Sequence, residues 1–287
     1  MPDIIAFLGK IIIALFILGI IVFAVILVVM GIAFSHAKED SMRADYSYDL
    51  SISTSKPLYN TTLLIPIPCG YDNKSGEFYT FLNLSEISLH NFDTANRSMQ
   101  IDDREGYRFL NISAQLMLPL YKNHIDPIPI YPGQNESELP PTPATVYSSS
   151  YSPETPDLLG MGIHAYFMTK DDEIDTKNPF EKEQLMRPFT VLNSSGKDNG
   201  FFSKDYFSGK ISDQYSESVI EVPVYLSYET EIDTNVAISC TLRGANEWWS
   251  GGWQWNEYEQ RIGNEFKGPK NGSYILEGDL VTGKGVY

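Results

Sequence analysis

Basic side chains are scarce in this chain: 21 Lys and Arg stand against 37 Asp and Glu, for a formal net charge of −16. That deficit excludes nucleic acid as a partner, and because the acids are spread rather than blocked together they read as a source of solubility. Histidine is equally sparse. His36, His90, His124 and His164 lie far apart with no H-E-x-x-H pair, so no metal site is assigned. "TKDDEIDTKN" gathers Asp171, Asp172, Glu173 and Asp175 but lacks the glycine turn of a calcium loop, and reads as a solvated acidic loop. Neither a G-x-S-x-G elbow nor a phosphate-cradling glycine loop occurs, and Ser194 and Lys197 form an S-x-x-K only inside the turn-rich "NSSGKDNG". No cofactor and no catalytic residue follows, and nothing selects a glycosidase pair from 37 carboxylates.

Cysteine is limited to Cys69 and Cys240, with no metal-ligand spacing. An even pair in an oxidising compartment is expected to form one disulfide, closing a loop of about 170 residues and contributing on the order of 5 kcal/mol in the chain-entropy model. Two separate buried thiols are the alternative.

Long apolar runs are limited to one, "IIIALFILGIIVFAVILVVMGIAF", residues 11–34, which holds no charge. As a helix it reaches about 36 Å, enough to cross a hydrocarbon core of about 30 Å. A cleavable signal has an apolar region of only about 7–15 residues after a basic start, and here the preceding stretch is "MPDIIAFLGK". The expected plan is a short cytoplasmic tail (1–10), an uncleaved transmembrane helix in the lipid bilayer (11–34), a charged spacer (35–45) and an extracytoplasmic domain (46–287). Cleavage near the small residues Ser35 and Ala37 is the alternative.

Lys10 on one side of the span and Lys38 and Arg43 on the other do not fix its orientation. The N-x-S/T acceptors do: Asn60, Asn73, Asn83, Asn96, Asn111, Asn135, Asn193 and Asn271. Random placement of 16 Asn against 42 Ser and Thr would give about two such sites, so the excess points outside the cytoplasm and to an N-glycosylated cell-surface chain on the cell membrane.

Beyond the span the apolar period is two. Tyr46, Tyr48, Leu50 and Ile52 share one face, as do Leu63, Ile65, Ile67 and Cys69, and Leu110, Ile112, Ala114, Leu116 and Leu118. Downstream, Ile220, Val222, Val224, Leu226 and Tyr228 form one face, and Val236, Ile238, Cys240 and Leu242 another. No comparable amphipathic helix follows the span. The fold class expected is mainly β, an elaborated antiparallel β-sandwich of Ig-like or jelly-roll-like kind, with the two cysteines bridging its layers. The proline-, serine- and threonine-rich segment 138–157 is either a long surface loop of one domain or a divider of two subdomains, 46–137 and 158–287.

All four tryptophans fall in "NEWWSGGWQWNEY". If Ser250, Gly251 and Gly252 form a hairpin loop with Gly252 left-handed, Trp249 faces Trp253 and Glu247 faces Trp255. Trp249, Trp253 and Trp255 then share one face of the ribbon and Trp248 takes the other. Parity counted from Cys240 puts Trp248 inward and the other three outward, unless Gly244 marks a bulge. Two readings stand: the indoles cap the core, or with Glu247 and Asn256 they form a platform on which sugar rings stack.

"NTTLLIPIP", "PIPIYPG", "NEWWSGGWQWNEY" and "LEGDLVTGKGVY" behind one N-terminal span make the chain resemble a group of uncharacterised archaeal, methanogen-type single-span membrane-anchored surface proteins with a β-rich ectodomain. The resemblance brings no activity with it. The plan is also similar to that of archaeal stator-type proteins, in which a span holds a β-sandwich against the surface layer. Archaeal pilins share an apolar N-terminal helix, but Gly9-Lys10 lacks the order of their cleavage signal. The function expected is non-enzymatic: a structural or binding role toward envelope components, surface-layer components or neighbouring surface proteins. The alternatives are a carbohydrate-binding module and a surface hydrolase.

Overall fold

A computed structural model describes residues 2–72, 76–91, 97–104, 106–126, 143–169, 173–195 and 211–286. Helix α1 (Pro2–Ser41) leads into β1 (Arg43–Thr54), β2 (Leu58–Pro66), β3 (Pro68–Asp72), β4 (Glu77–Tyr79), β5 (Ser88–His90), β6 (Arg97–Arg104), β7 (Tyr107–Met117) and β8 (Leu120–Lys122). Then come β9 (Tyr147–Ser148), β10 (Asp157–Leu159), β11 (Met161–Thr169), the single turn α2 (Pro179–Lys182), β12 (Leu185–Met186) and β13 (Thr190–Ser195). Four long strands close the chain: β14 (Ile211–Glu229), β15 (Asn235–Trp249), β16 (Trp253–Lys267) and β17 (Lys270–Val286).

The protein is mainly β, as its period-two runs require. One large antiparallel sheet runs in the order β5-β11-β1-β15-β16-β17-β14-β2-β7-β6, with β13 also on β14. Early strands are interleaved with late ones, since β1 lies between β11 and β15 while β2 pairs with β14. The sheet curls, so that side chains from β1, β2, β7, β11, β14, β15, β16 and β17 meet in one apolar cluster. The layering expected of a sandwich thus arises within one continuous sheet. A small sheet, β12-β3-β4, closes part of the inner face. Its link is polar: buried Gln260 accepts from Met186 N at 2.7 Å and donates to Met186 O at 3.2 Å, while Tyr258 Oη donates to Gln184 O at 2.9 Å.

The inward faces read from sequence hold along β1, β14 and β15, where Tyr48, Leu50, Val222, Leu226, Val236 and Leu242 are all buried. Burying a side chain of this kind contributes about 1.5–3 kcal/mol over leaving it exposed. The end of β7 departs from expectation: Leu116 is 41% and Leu118 39% exposed, and Met117 is buried in their place. The cause lies on the neighbouring strand. Asn60 takes a φ of 51°, a left-handed conformation that asparagine tolerates. The turn of the strand there exposes Tyr59 with its partner Leu116 and buries Leu58 with its partner Met117.

The expected disulfide is absent, and Cys69 and Cys240 are both free and buried. Cys240 belongs to the main apolar cluster, with Leu50 and Ile262 as its register partners. Cys69 lies outside that cluster, on the small sheet opposite Leu185. Burial pushes the Cys240 thiol up to about 12 and raises that of Cys69, so both are protonated and pack as small apolar groups.

The apolar run does not end the helix. α1 continues through most of the charged stretch expected as a spacer, and Met42 alone separates it from β1. No glycine or proline interrupts residues 32–41. Lys38 in the last turn also complements the helix C-terminus. From Leu15 onward the helix is long and apolar enough to cross a membrane, and none of that apolar window is buried against the rest of the chain.

Candidate functional site

The tryptophan hairpin has the register expected of it, Trp249 opposite Trp253 and Glu247 opposite Trp255. Gly251, not Gly252, is the left-handed residue, with a φ of 73°, and Ser250 N donates to Gly252 O at 2.9 Å. Gly244 is no bulge. The pairing runs unbroken past it, and its missing Cβ makes room for the Tyr258 ring, which would lie 2.4 Å from one. Parity therefore carries through from Val236, turning Trp248 inward and Trp249, Trp253 and Trp255 to the outer face.

Sharing a face does not make these indoles a platform. Trp255 is 1% exposed and Trp253 is 49% exposed, while Trp249 is half-buried against Phe34, ring centroids 5.7 Å apart and planes at 48°. Glu247 is half-buried. Asn256 is buried on the inner face, where its Nδ2 donates to Ile174 O at 3.0 Å. The five residues proposed for sugar binding thus divide between two faces and three environments, and an open stacking surface exists at Trp253 alone among the four tryptophans.

The hairpin meets the end of α1 instead. Phe34, Lys38 and Ser41 recur at helical spacing and so share one face. Phe34 packs on Trp249. Lys38 Nζ lies 5.3 Å from the Trp248 ring centroid and 2.9 Å from Glu173 Oε2. Ser41 Oγ accepts from Trp249 N at 2.8 Å and donates to Ala37 O at 2.5 Å. These three residues escape sequence reasoning, because their spacing is that of any helix and their partners lie far along the chain. The single local signal is that the helical pattern survives the first charges after the apolar run.

Beside the hairpin opens a cavity of about 710 Å3, lined by Trp248, Trp255, Asn256, Asp175, Lys182 and Lys284 among others. Its lining includes two indoles and side chains of both signs of charge. Lys182 Nζ reaches Asp175 Oδ2 at 2.6 Å; the pair holds Asp175 below the usual carboxylate range and raises Lys182.

No family model, curated protein or solved structure matches the chain.

Among the described residues no group of three or more His, Cys, Asp or Glu is placed to hold a metal ion. The outer face of the sheet gathers buried Glu217, Glu257, Glu259 and Asp279. Arg243 pairs with Glu257, and Arg261 with Glu259. Burial, then the neighbouring Glu217, pushes Asp279 up to about 6. The two arginines thus engage Glu257 and Glu259. Of the acceptor asparagines, Asn60, Asn83 and Asn271 are exposed, whereas half-buried Asn111 donates from Nδ2 to Asp102 at 2.8 Å. Asn193 lies on β13 opposite Val219. Asn73, Asn96 and Asn135 lie outside the described residues, as do Asp171, Asp172, Lys197 and part of the segment 138–157.

Proposed function

We propose that this chain is a single-pass membrane protein of the cell surface, with α1 as its uncleaved anchor and its β domain outside the cytoplasm, serving a structural or binding role in the envelope. The observation that carries the reading is the seating of the helix end on the domain through Phe34, Lys38 and Ser41. A signal sequence destined for removal has no use for a hydrogen bond, a cation–π contact and an aromatic contact to a hairpin more than two hundred residues away. An anchor does, because such contacts make rod and domain one body and set the height and tilt at which the domain stands. The exposed acceptors Asn60, Asn83 and Asn271 accord with N-glycosylation, and the resemblance to archaeal surface proteins accords with the same placement. The partners proposed are envelope or surface-layer components and neighbouring surface proteins. A sugar platform finds less support, since Trp255 is closed off and Trp249 is engaged with the helix.

The test is the N-terminus and location of the mature chain. Membranes washed at alkaline pH should retain the protein, and its intact mass should include α1. A mature chain starting after Ser35 or Ala37, or release into the wash, overturns the reading.

A further inference from the structure

We infer that the tip of the tryptophan hairpin is a second membrane contact: Trp253, with Ser250, Gly251 and Gly252, sits in the headgroup layer of the leaflet from which α1 emerges. This rests on the anchoring proposed above and adds where the domain touches the bilayer.

The direction of the hairpin carries the argument. β15 runs back antiparallel to β1 until Glu247 stands opposite Arg43, and two residues on, at the last residue before the loop, Trp249 N donates to Ser41 Oγ. The hairpin's tip lies beside Phe34, the last residue of the apolar run, since a Cβ on Gly251 would stand 3.9 Å from that ring. Glu247 opposite Arg43, Trp249 on Ser41 and Gly251 beside Phe34 bring successive residues of the strand end nearer the apolar run, so the tip of the hairpin points along α1 toward the bilayer. A run of 24 such residues, 11–34, is about 36 Å long against a hydrocarbon core of about 30 Å, which leaves Phe34 at the interface. Indoles concentrate at that depth because their rings are apolar while their N–H still reaches water or headgroup oxygen.

Composition fits the same occupant. The stretch "WWSGGWQWN", residues 248–256, is free of charge in a chain carrying −16. A domain so acidic is repelled by anionic lipid, so an uncharged aromatic tip is the part able to approach. Trp253 is 49% exposed, while Phe34 packs on Trp249.

The test uses the full chain in phosphatidylcholine vesicles, with a nitroxide on Gly252→Cys and, as a control at the opposite end of the sheet, on Ile232→Cys. Gly252 has nothing within 4 Å of an added Cβ, Ile232 is 83% exposed, and the native thiols are buried. At position 252 collisions with oxygen should exceed those with a water-soluble nickel chelate, and at position 232 the order should reverse. In parallel, brominated lipid should quench part of the tryptophan emission of the native chain, and Trp253→Phe should lose most of that part. A chain that floats with the vesicles yet reads as water at position 252 overturns this inference alone. A chain that does not float with them overturns the anchoring as well.

Discussion

The ring of Phe34, which ends the apolar run, lies 5.7 Å from the ring of Trp249, which ends β15. With Ser41 bonded to Trp249 N, that contact turns a helix and a sheet into one unit. Removing both, in Phe34→Ala with Ser41→Ala, should cost about 1–2 kcal/mol of docking, or roughly tenfold in the undocked fraction. Trypsin should then cut faster after Lys38 in detergent micelles, while the thermal unfolding of the β domain stays put. Equal cutting rates would mean the junction is already loose.

The thiols give a second prediction. Cys69 and Cys240 are unbonded, buried and held protonated. A thiol-specific reagent should find neither in the native protein and both in denaturant without reductant. Unfolded protein that shows no thiol until reductant is added would restore the disulfide.

Gly244→Ala should destabilise by about 1–3 kcal/mol, because its Cβ would press the Tyr258 ring, whose hydroxyl is fixed by Gln184. Gly252→Ala, in open space, should change stability by less than about 0.5 kcal/mol. Denaturant midpoints decide the pair; equal effects would contradict the packing described.

Asp279 makes stability depend on pH. Its folded value of about 6 lies above that of an unfolded aspartate, so the protonated form favours the fold. That contribution is complete below about pH 4 and is lost as pH rises through about pH 6. Asp279→Asn should therefore stabilise the protein at neutral pH by about 1–3 kcal/mol and much less near about pH 4. A constant difference across that window would place the carboxyl in water.

What the sequence disclosed, and what it withheld, follows from the range of the forces involved. The faces of β1, β14 and β15 were legible because alternation such as Ile220 to Tyr228 is written residue by residue, and the hairpin register because Gly251 and Gly252 mark the turn. The parity from Cys240 to Trp248 held because Gly244 serves a ring rather than a bulge. The flip at Leu116 was not legible, since it originates at Asn60 on the next strand. Nor was the separation of the cysteines: alternation places each on an apolar face but says nothing of which layer that face meets. The clamp of Phe34, Lys38 and Ser41 was hidden for the same reason, being long-range at every contact.

The most direct test of the account is sidedness. Ile232, at the end of the sheet away from the hairpin, is 83% exposed, and the native thiols are buried. Ile232→Cys in living cells should react with a membrane-impermeant maleimide before lysis, to the same extent as after it. Labelling that appears only once the cells are broken would put the domain in the cytoplasm and contradict the account.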